Sequence, residues 1–325
     1  MDYANIVAWA KKVLNQTEIQ PAVIAETPWS SVLKISTETD LGALYLKQTP
    51  PDLFVEVNIV QNCRALCGIT DIPEIVAINK TLHCFLMTDC GEASLRTVLN
   101  GRLNIDLLIQ GLRIYRNMQQ ATMTQVDAFL KAGAPDWRLA RFPTLYRDLV
   151  SDEAFLKENP LEAGQIKILQ NATPKVEALC QALSRYGISE CLNHSDFHDN
   201  NMVYSKAMKK VCIIDLGETA INHPLFSLAA FLKAICNIYN LSPDSTDYKK
   251  LHDVCYQGWL DEKNSMPKVI ELINALLPVY LIFTQKRFLD AIDLPYNADN
   301  PMSVKQHDKI YKGFIWFIEN MRANS

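Results

Sequence analysis

The sequence predicts an α+β chain in two lobes: an antiparallel-sheet N-lobe over residues 1–89 and a mainly helical C-lobe over 90–325. Three observations carry this. Between Val23 and Thr88, short β-rich segments alternate with polar turns and one helical stretch. Beyond Ser94 the apolar spacing is almost wholly helical. The exception is Asn193–Glu218, NHSDFHDNNMVYSKAMKKVCIIDLGE, a polar loop followed by a hairpin.

In order, Ile6, Val7, Ala10, Val13 and Leu14 give Tyr3–Leu14 the apolar face of an amphipathic helix. The period then changes. Val23–Glu26, Val32–Ser36 and Ala43–Lys47 read as an antiparallel meander, with Thr27–Pro28 and the polar stretch Thr37–Gly42 as its turns. After Pro50–Pro51 a helix is expected over Asp52–Leu66, with Asp52 as N-cap and Glu56 in its first part. Ile75–Asn79 and Cys84–Thr88 follow as strands, and Asp89–Glu92 as a flexible connection. Strand, strand, strand with Lys47, helix with Glu56, strand, strand is the order of a protein-kinase N-lobe, the small sheet-rich half of a bilobal protein-kinase-like fold. The C-lobe helices are expected at Ser94–Leu99, Ile105–Gln120, Leu161–Arg185, Pro224–Ile238, Asp247–Leu260, Pro267–Ile292 and Ser303–Met321. Ala132–Pro143 reads as an ordered loop. Val203–Tyr204 and Val211–Ile214 read as the strands of the hairpin, with Ser205–Lys210 as its polar turn.

The bulk numbers narrow the function classes. With 325 residues, 49% hydrophobic and 21% charged, the chain has the composition of a soluble globular protein with room for two lobes. A net charge of −4 gives no reason to expect nucleic acid or an anionic membrane as partner. Nine cysteines without CxxC spacing suit reduced thiols in a cytoplasmic compartment. The N-terminus lacks a signal-peptide pattern. The apolar run near Ala275–Phe283 is interrupted by Pro278 and falls short of a membrane span.

His194, Asp196 and Asn201 form H-x-D-x-x-x-x-N, and Asp215 closes the apolar run Val211–Ile214. Phosphoryl transfer from a nucleotide needs a carboxylate beside the acceptor hydroxyl and hard oxygen ligands for magnesium on the phosphates. A loop with Asp196 and Asn201, and a hairpin returning Asp215 to it, supplies all three.

His194-Ser-Asp196-Phe-His198-Asp-Asn-Asn201 resembles the H-G-D-x-H-x-x-N catalytic segment of the aminoglycoside phosphotransferase and choline kinase superfamily. Ile214-Asp215-Leu216-Gly217-Glu218 is similar to its I-D-[WF]-x-[DE] metal segment. Phe85-Leu-Met-Thr-Asp-Cys-Gly91 resembles its L-L-M-E-D-x-G hinge, and His223-Pro-Leu-Phe-Ser-Leu-Ala its G-D-P-x-x-D-L-A helix start. The likeness runs from about Val23 to Leu232, in the family's order. It implies that Asp196 is the catalytic base and that Asn201 and Asp215 hold magnesium. It also implies that Lys47 contacts the nucleotide phosphates with Glu56 as its partner, and that the base rests on the hinge around Met87, Asp89 and Cys90. No glycine-rich loop precedes Lys47. Serines often occupy that turn in the superfamily, which makes Ser30 and Ser31 the phosphate cover. Ser227 stands where the family usually has Asp, and Asp199–Asn200 where Pro-Gly is common.

Other residues read more simply. His194 orients the loop through side-chain-to-backbone bonds; His198 either does the same or approaches the phosphates. Cys63 with Cys67, and His83 with Cys84, match no zinc spacing and read as core and surface residues. Tyr311, Phe314, Trp316 and Phe317 read as helix core. The expected function is transfer of the γ-phosphate of ATP, or of GTP, with magnesium, to a hydroxyl of a small polar molecule such as an amino alcohol, a sugar or an aminoglycoside. The acceptor would lie against Ala132–Arg147 and the helices after Pro224, and Asp199, Glu218 and Asp136 would suit a cationic one. The sequence fixes no oligomeric state. A protein kinase and a nucleotide-binding pseudokinase are the alternatives. The chain has no recognisable D-F-G and A-P-E segments, which counts against the first, and the second has no need of Asp196.

Overall fold

A computed structural model describes residues 3–36, 42–260 and 265–323. The polar stretch expected after the second strand falls largely on residues 37–41, outside the described residues. The chain forms two compact units, Met1–Ala134 with His198–Thr219, and Pro135–Phe197 with Ala220–Ser325.

In the first unit, α1 (Tyr3–Leu14) leads into β1 (Pro21–Glu26), β2 (Ser31–Ser36), β3 (Ala43–Gln48), α2 (Glu56–Cys67), β4 (Ile75–Asn79) and β5 (Cys84–Thr88). The strands make a five-stranded antiparallel sheet in the order β1-β2-β3-β5-β4. Alternation along each strand sorts the side chains into two sets. Leu33, Ile35, Leu44, Leu46 and Leu86 pack with Ile6 and Ala10 of α1. Each such burial stabilises by about 1.5–3 kcal/mol, so α1 and this face clamp the middle strands. The opposite face carries the register partners Val32, Lys47 and Phe85, and, one row along, Lys34, Tyr45 and Met87. Val57 of α2 packs on Phe85 and Met87 there.

The helix expected from Asp52 starts later. Pro51–Leu53 is a single 3₁₀ turn, and α2 begins at Glu56 behind Val55, which makes no side-chain cap. Pro50 and Pro51 offer no N–H, so Phe54 N–H turns back to both of their carbonyls and closes the tight turn first. The rest of the unit comprises the helices Leu95–Leu99, Ile105–Thr122 and Val126–Lys131 and the expected hairpin, Met202–Ser205 with Lys210–Ile213. Ala93–Ser94 adds a third strand to the hairpin. Gly91, at φ 149°, makes that approach possible, since a Cβ there would lie 2.6 Å from the Tyr204 carbonyl oxygen.

The second unit is helical around one small ladder, Cys191–His194 with Thr219–Asn222. Asp136 bridges to Ile221, which ties the expected loop before Pro143 to this ladder. The single helix expected over Leu161–Arg185 is two, Ala163–Asn171 and Thr173–Ser184, because Pro174 supplies no N–H and sits best in a first turn. Phe142–Ser151 is a further helix. Its Phe142 stacks on Phe226, which stacks in turn on Tyr280, with centroids 5.5 and 5.2 Å apart. Met266–Ala291 runs as one helix through Pro278, in line with the helix expected over Pro267–Ile292. The Asn274 carbonyl, which would have received the N–H that Pro278 lacks, accepts from Asn320 Nδ2 at 3.4 Å. By length and composition this helix could cross a membrane, but 56% of its apolar window is buried within the protein.

Candidate active site

Strand β3 and helix α2 place a charged centre in the first unit. Lys47 Nζ lies 2.6 Å from Glu56 Oε2 and 2.6 Å from Asp215 Oδ1. The Lys47 and Glu56 side chains are 9% and 3% exposed, whereas that of Asp215 is 44% exposed. Burial alone would depress the Lys47 ammonium. Asp215, with Glu56, overcomes this and holds its pKa above the usual lysine value. The lysine is therefore a fixed cation, anchored by Glu56 and directed at an accessible carboxylate.

Asp215 adopts a left-handed backbone, φ 64° and ψ 52°, between the hairpin and the 3₁₀ turn Leu216–Glu218. That conformation is costly for a residue with a side chain, and Asp is among those that tolerate it. It turns the chain out of the hairpin at the carboxylate. Asn201 is brought beside it by the backbone: Ile214 N–H donates to the Asn201 carbonyl at 3.0 Å, and Asn201 N–H to that of His198 at 3.0 Å. Asn201 and Asp215 are hard oxygen donors on neighbouring segments. Magnesium usually takes one or two protein oxygens and completes its shell with phosphates and water, so this pair fits it. No cluster of three or more His, Cys, Asp or Glu suited to a metal occurs among the described residues.

The remaining residues fall into three groups. Met87 lies on the Lys47 face, paired with Tyr45, and Asp89 and Cys90 follow directly from β5. The sequence reading passed over Tyr45 and Lys34. Their signal was the two-residue strand period, which puts Tyr45 on the face of Lys47. Ser31 does not turn its hydroxyl to that face. Ser30 Oγ donates to the Gln48 carbonyl at 2.9 Å, and Ser31, fully buried, alternates with Val32 and so belongs to the α1 face. His198 Nδ1 accepts from Asn200 N–H at 3.2 Å, which caps the turn Asp199–Asn201.

In the second unit Asp196 is exposed, and its N–H donates to Nδ1 of the fully buried His194 at 3.2 Å. This is the loop-orienting role expected of His194. Ser227 takes over the helix-start interaction: its Oγ donates to Asn193 Oδ1 at 2.6 Å, while Asn193 Nδ2 donates to the Asn222 carbonyl at 2.9 Å. Two acids considered for a cationic acceptor are committed elsewhere. Asp199 is fully buried against Arg96, 2.6 Å away, and Asp136 is clasped by Arg138 at 2.8 and 2.9 Å. The hydrogen bonds from Arg138 hold the Asp136 carboxyl below its usual pKa. A cavity of about 980 Å³ lies among the helices, lined by Ala229, Leu232, Lys233, Cys236 and Trp316 among others. The helix Leu225–Tyr239 supplies Ala229, Leu232, Lys233 and Cys236 to this lining, while the ring of its Phe231 packs 5.0 Å from that of Phe197 in the Asp196 loop.

A kinase-like sheet unit holding a Lys–Glu–Asp centre, joined in sequence to an exposed loop aspartate, defines the phosphoryl-transferring class. The sequence matches the phosphotransferase enzyme family over residues 37–249, and the chain belongs to that family. No curated protein matches the sequence. Among solved structures the fold is similar to an ethanolamine kinase of Plasmodium vivax, at 12% identity and a TM-score of 0.65, covering 94% of this chain and 86% of that one. It is also similar to APH(2")-IIia in complex with GDP and kanamycin, at 13% identity and a TM-score of 0.60 with 99% of both chains covered. A third is a choline kinase of Cryptosporidium parvum Iowa II, at 14% identity and a TM-score of 0.59, covering 99% of this chain and 96% of that one.

Proposed function

We propose that this phosphotransferase moves the γ-phosphate of a magnesium-bound nucleoside triphosphate, ATP or GTP, to a hydroxyl of a small polar molecule. The observation that carries this reading is Lys47 held between Glu56 and the exposed Asp215, with Asn201 tied to the same turn. Lys47 binds the phosphates, Glu56 keeps it extended, and Asn201 with Asp215 hold magnesium. Bound magnesium neutralises charge on the transferring phosphate. The base lies along Tyr45, Met87 and the hinge Asp89–Cys90. Asp196 accepts the proton of the acceptor hydroxyl and orients it toward the phosphorus. Positioning and charge stabilisation supply most of the rate in such reactions. In this reading residues 1–89 cover the nucleotide, and 90–325 carry the catalytic loop and the acceptor site, near Ala132–Arg147 and the helices after Pro224. The compartment is the cytoplasm. Amino alcohols, sugars and aminoglycosides are the acceptors to screen, the first and last of these being suggested by the names of the structural neighbours.

Thermal denaturation with ATP or GTP, with and without magnesium, tests the reading, because a ligand that binds only the native state raises the melting temperature. The expected result is a magnesium-dependent rise in the wild type that Asp215→Ala removes. No rise with either nucleotide overturns it.

A further inference from the structure

The cavity of about 980 Å³ in the second unit is walled by five helices, Thr173–Ser184, Leu225–Tyr239, Thr246–Tyr256, Met266–Ala291 and Pro301–Ala323. Its volume is that of a pocket for a small organic molecule. The buried Leu232, Leu272 and Leu277 give it an apolar lining. Tyr248, His252 and Tyr256 add an aromatic one. They recur at every fourth position of Thr246–Tyr256 and so share one face of that helix, with ring centroids 5.8 and 4.7 Å apart along the row. Four lining residues carry full charge near pH 7: Lys175, Lys233, Lys268 and Glu271. Lys268 and Glu271 cancel, since the Lys268 Nζ lies 2.7 and 2.8 Å from the two carboxylate oxygens. Lys233 Nζ sits 4.3 Å from the centroid of the Trp316 ring, and among the described residues neither it nor Lys175 has a carboxylate partner. The described lining therefore holds two uncompensated positive charges beside apolar and aromatic walls.

We propose that this cavity binds a small organic anion with a flat apolar body, of the class of the aromatic carboxylates. The leucines and the ring row take the body, and Lys175 and Lys233 supply the charge. A cleft lined by one sign of charge and by low-dielectric walls focuses its field, which concentrates ions of the opposite sign. Apolar pockets with a few polar groups of this kind hold ligands by their bodies and orient them by their charges. An amino alcohol or an aminoglycoside would meet both ammoniums, so a cationic acceptor is not the occupant. The inference stands apart from the reading of the Lys47 face, and neither depends on the other.

Three probes that share one body and differ in charge test this by titration calorimetry of the full chain: 2-naphthoate, 2-naphthylmethanol and 2-naphthylmethylammonium. The wild type should bind the carboxylate roughly tenfold tighter than the alcohol, and the ammonium most weakly. Lys175→Gln and Lys233→Gln should each narrow the preference for the carboxylate. Together they should bring its ratio to the alcohol close to one while leaving the alcohol's own affinity unchanged. Both lysines are exposed, so the variants should fold, which ligand-free melting curves check. Cys236→Trp, which fills the cavity, should abolish binding of the carboxylate. Binding of the ammonium as tight as the carboxylate, or a ratio unchanged in the folded double variant, overturns the assignment of an anion. Binding of none of the three probes, or carboxylate binding that survives in folded Cys236→Trp, overturns the site. The nucleotide-dependent rise in melting temperature is a separate measurement, so its failure and the failure of this site are told apart.

Discussion

Lys47 carries two obligations at once, since it neutralises a buried glutamate and presents charge to solvent through Asp215. Lys47→Met should therefore destabilise the fold as well as abolish nucleotide binding. Removing one partner of a buried ion pair costs about 3–5 kcal/mol, because the other charge stays buried alone. Adding Glu56→Gln to Lys47→Met should recover a large part of that loss without restoring binding, which chemical denaturation and calorimetry measure separately. His223 gives a second test at this scale. It is fully buried, and desolvation lowers its pKa to about 3 from the usual 6.5. A depressed pKa means that the unfolded chain takes up a proton which the folded chain refuses. The stability is complete above pH 6.5 and is lost as pH falls toward 3. Between pH 6.5 and pH 5 this amounts to about 2 kcal/mol, read as a drop in unfolding free energy in urea that His223→Asn should flatten. Single residues were unevenly legible in the sequence. Lys47 and Asp215 declared themselves through their neighbours in the chain. Asp199 looked available, and only its contact with Arg96 reveals that it is structural.

Elements were most legible where a periodic apolar face coincided with a turn signal, as in β3, β5 and the hairpin after Asn201. They were least legible where proline altered the backbone hydrogen bonding. The 3₁₀ turn before α2 and the break before Pro174 each depend on local backbone hydrogen bonding at a proline. Window periodicity does not register that. The helix Phe142–Ser151 was a different omission, since Phe142, Tyr146, Leu149 and Val150 lie on one helical face and are buried, but Pro143 made the stretch look like a loop. Ser31 was unreadable for another reason, because only its place in β2, paired with Gln48, decides which face its hydroxyl takes. The junction after β5 gives the prediction at this scale. Gly91 has φ 149° and no room for a Cβ beside the Tyr204 carbonyl. Gly91→Ala should cost about 1–3 kcal/mol and lower the melting temperature. It should also weaken nucleotide binding, because Ala93–Ser94 and the hairpin bearing Asn201 are paired through this approach. An unchanged melting temperature would show that the hinge tolerates a side chain there.

At the scale of the whole molecule, the residues assigned to the nucleotide all belong to one compact unit, and the proposed base, Asp196, belongs to the other. Binding and catalysis should therefore be separable by substitution. Hydrogen exchange with magnesium nucleotide should show protection concentrated in Ala43–Gln48, Cys84–Thr88 and the segment from Asp199 to Asp215. Asp196→Ala should leave that pattern and the nucleotide-dependent rise in melting temperature intact, because Asp196 is exposed and supports no core. Turnover, in contrast, should fall by about 10²–10⁴-fold, the contribution expected of a positioned proton acceptor. A chain whose purpose was only to bind nucleotide or a protein partner would show the first result without having turnover to lose. Turnover unchanged in Asp196→Ala would move the acceptor's proton to another group and dismiss this aspartate. Loss of nucleotide protection in the same variant would mean that Asp196 shapes the site it was assigned only to serve.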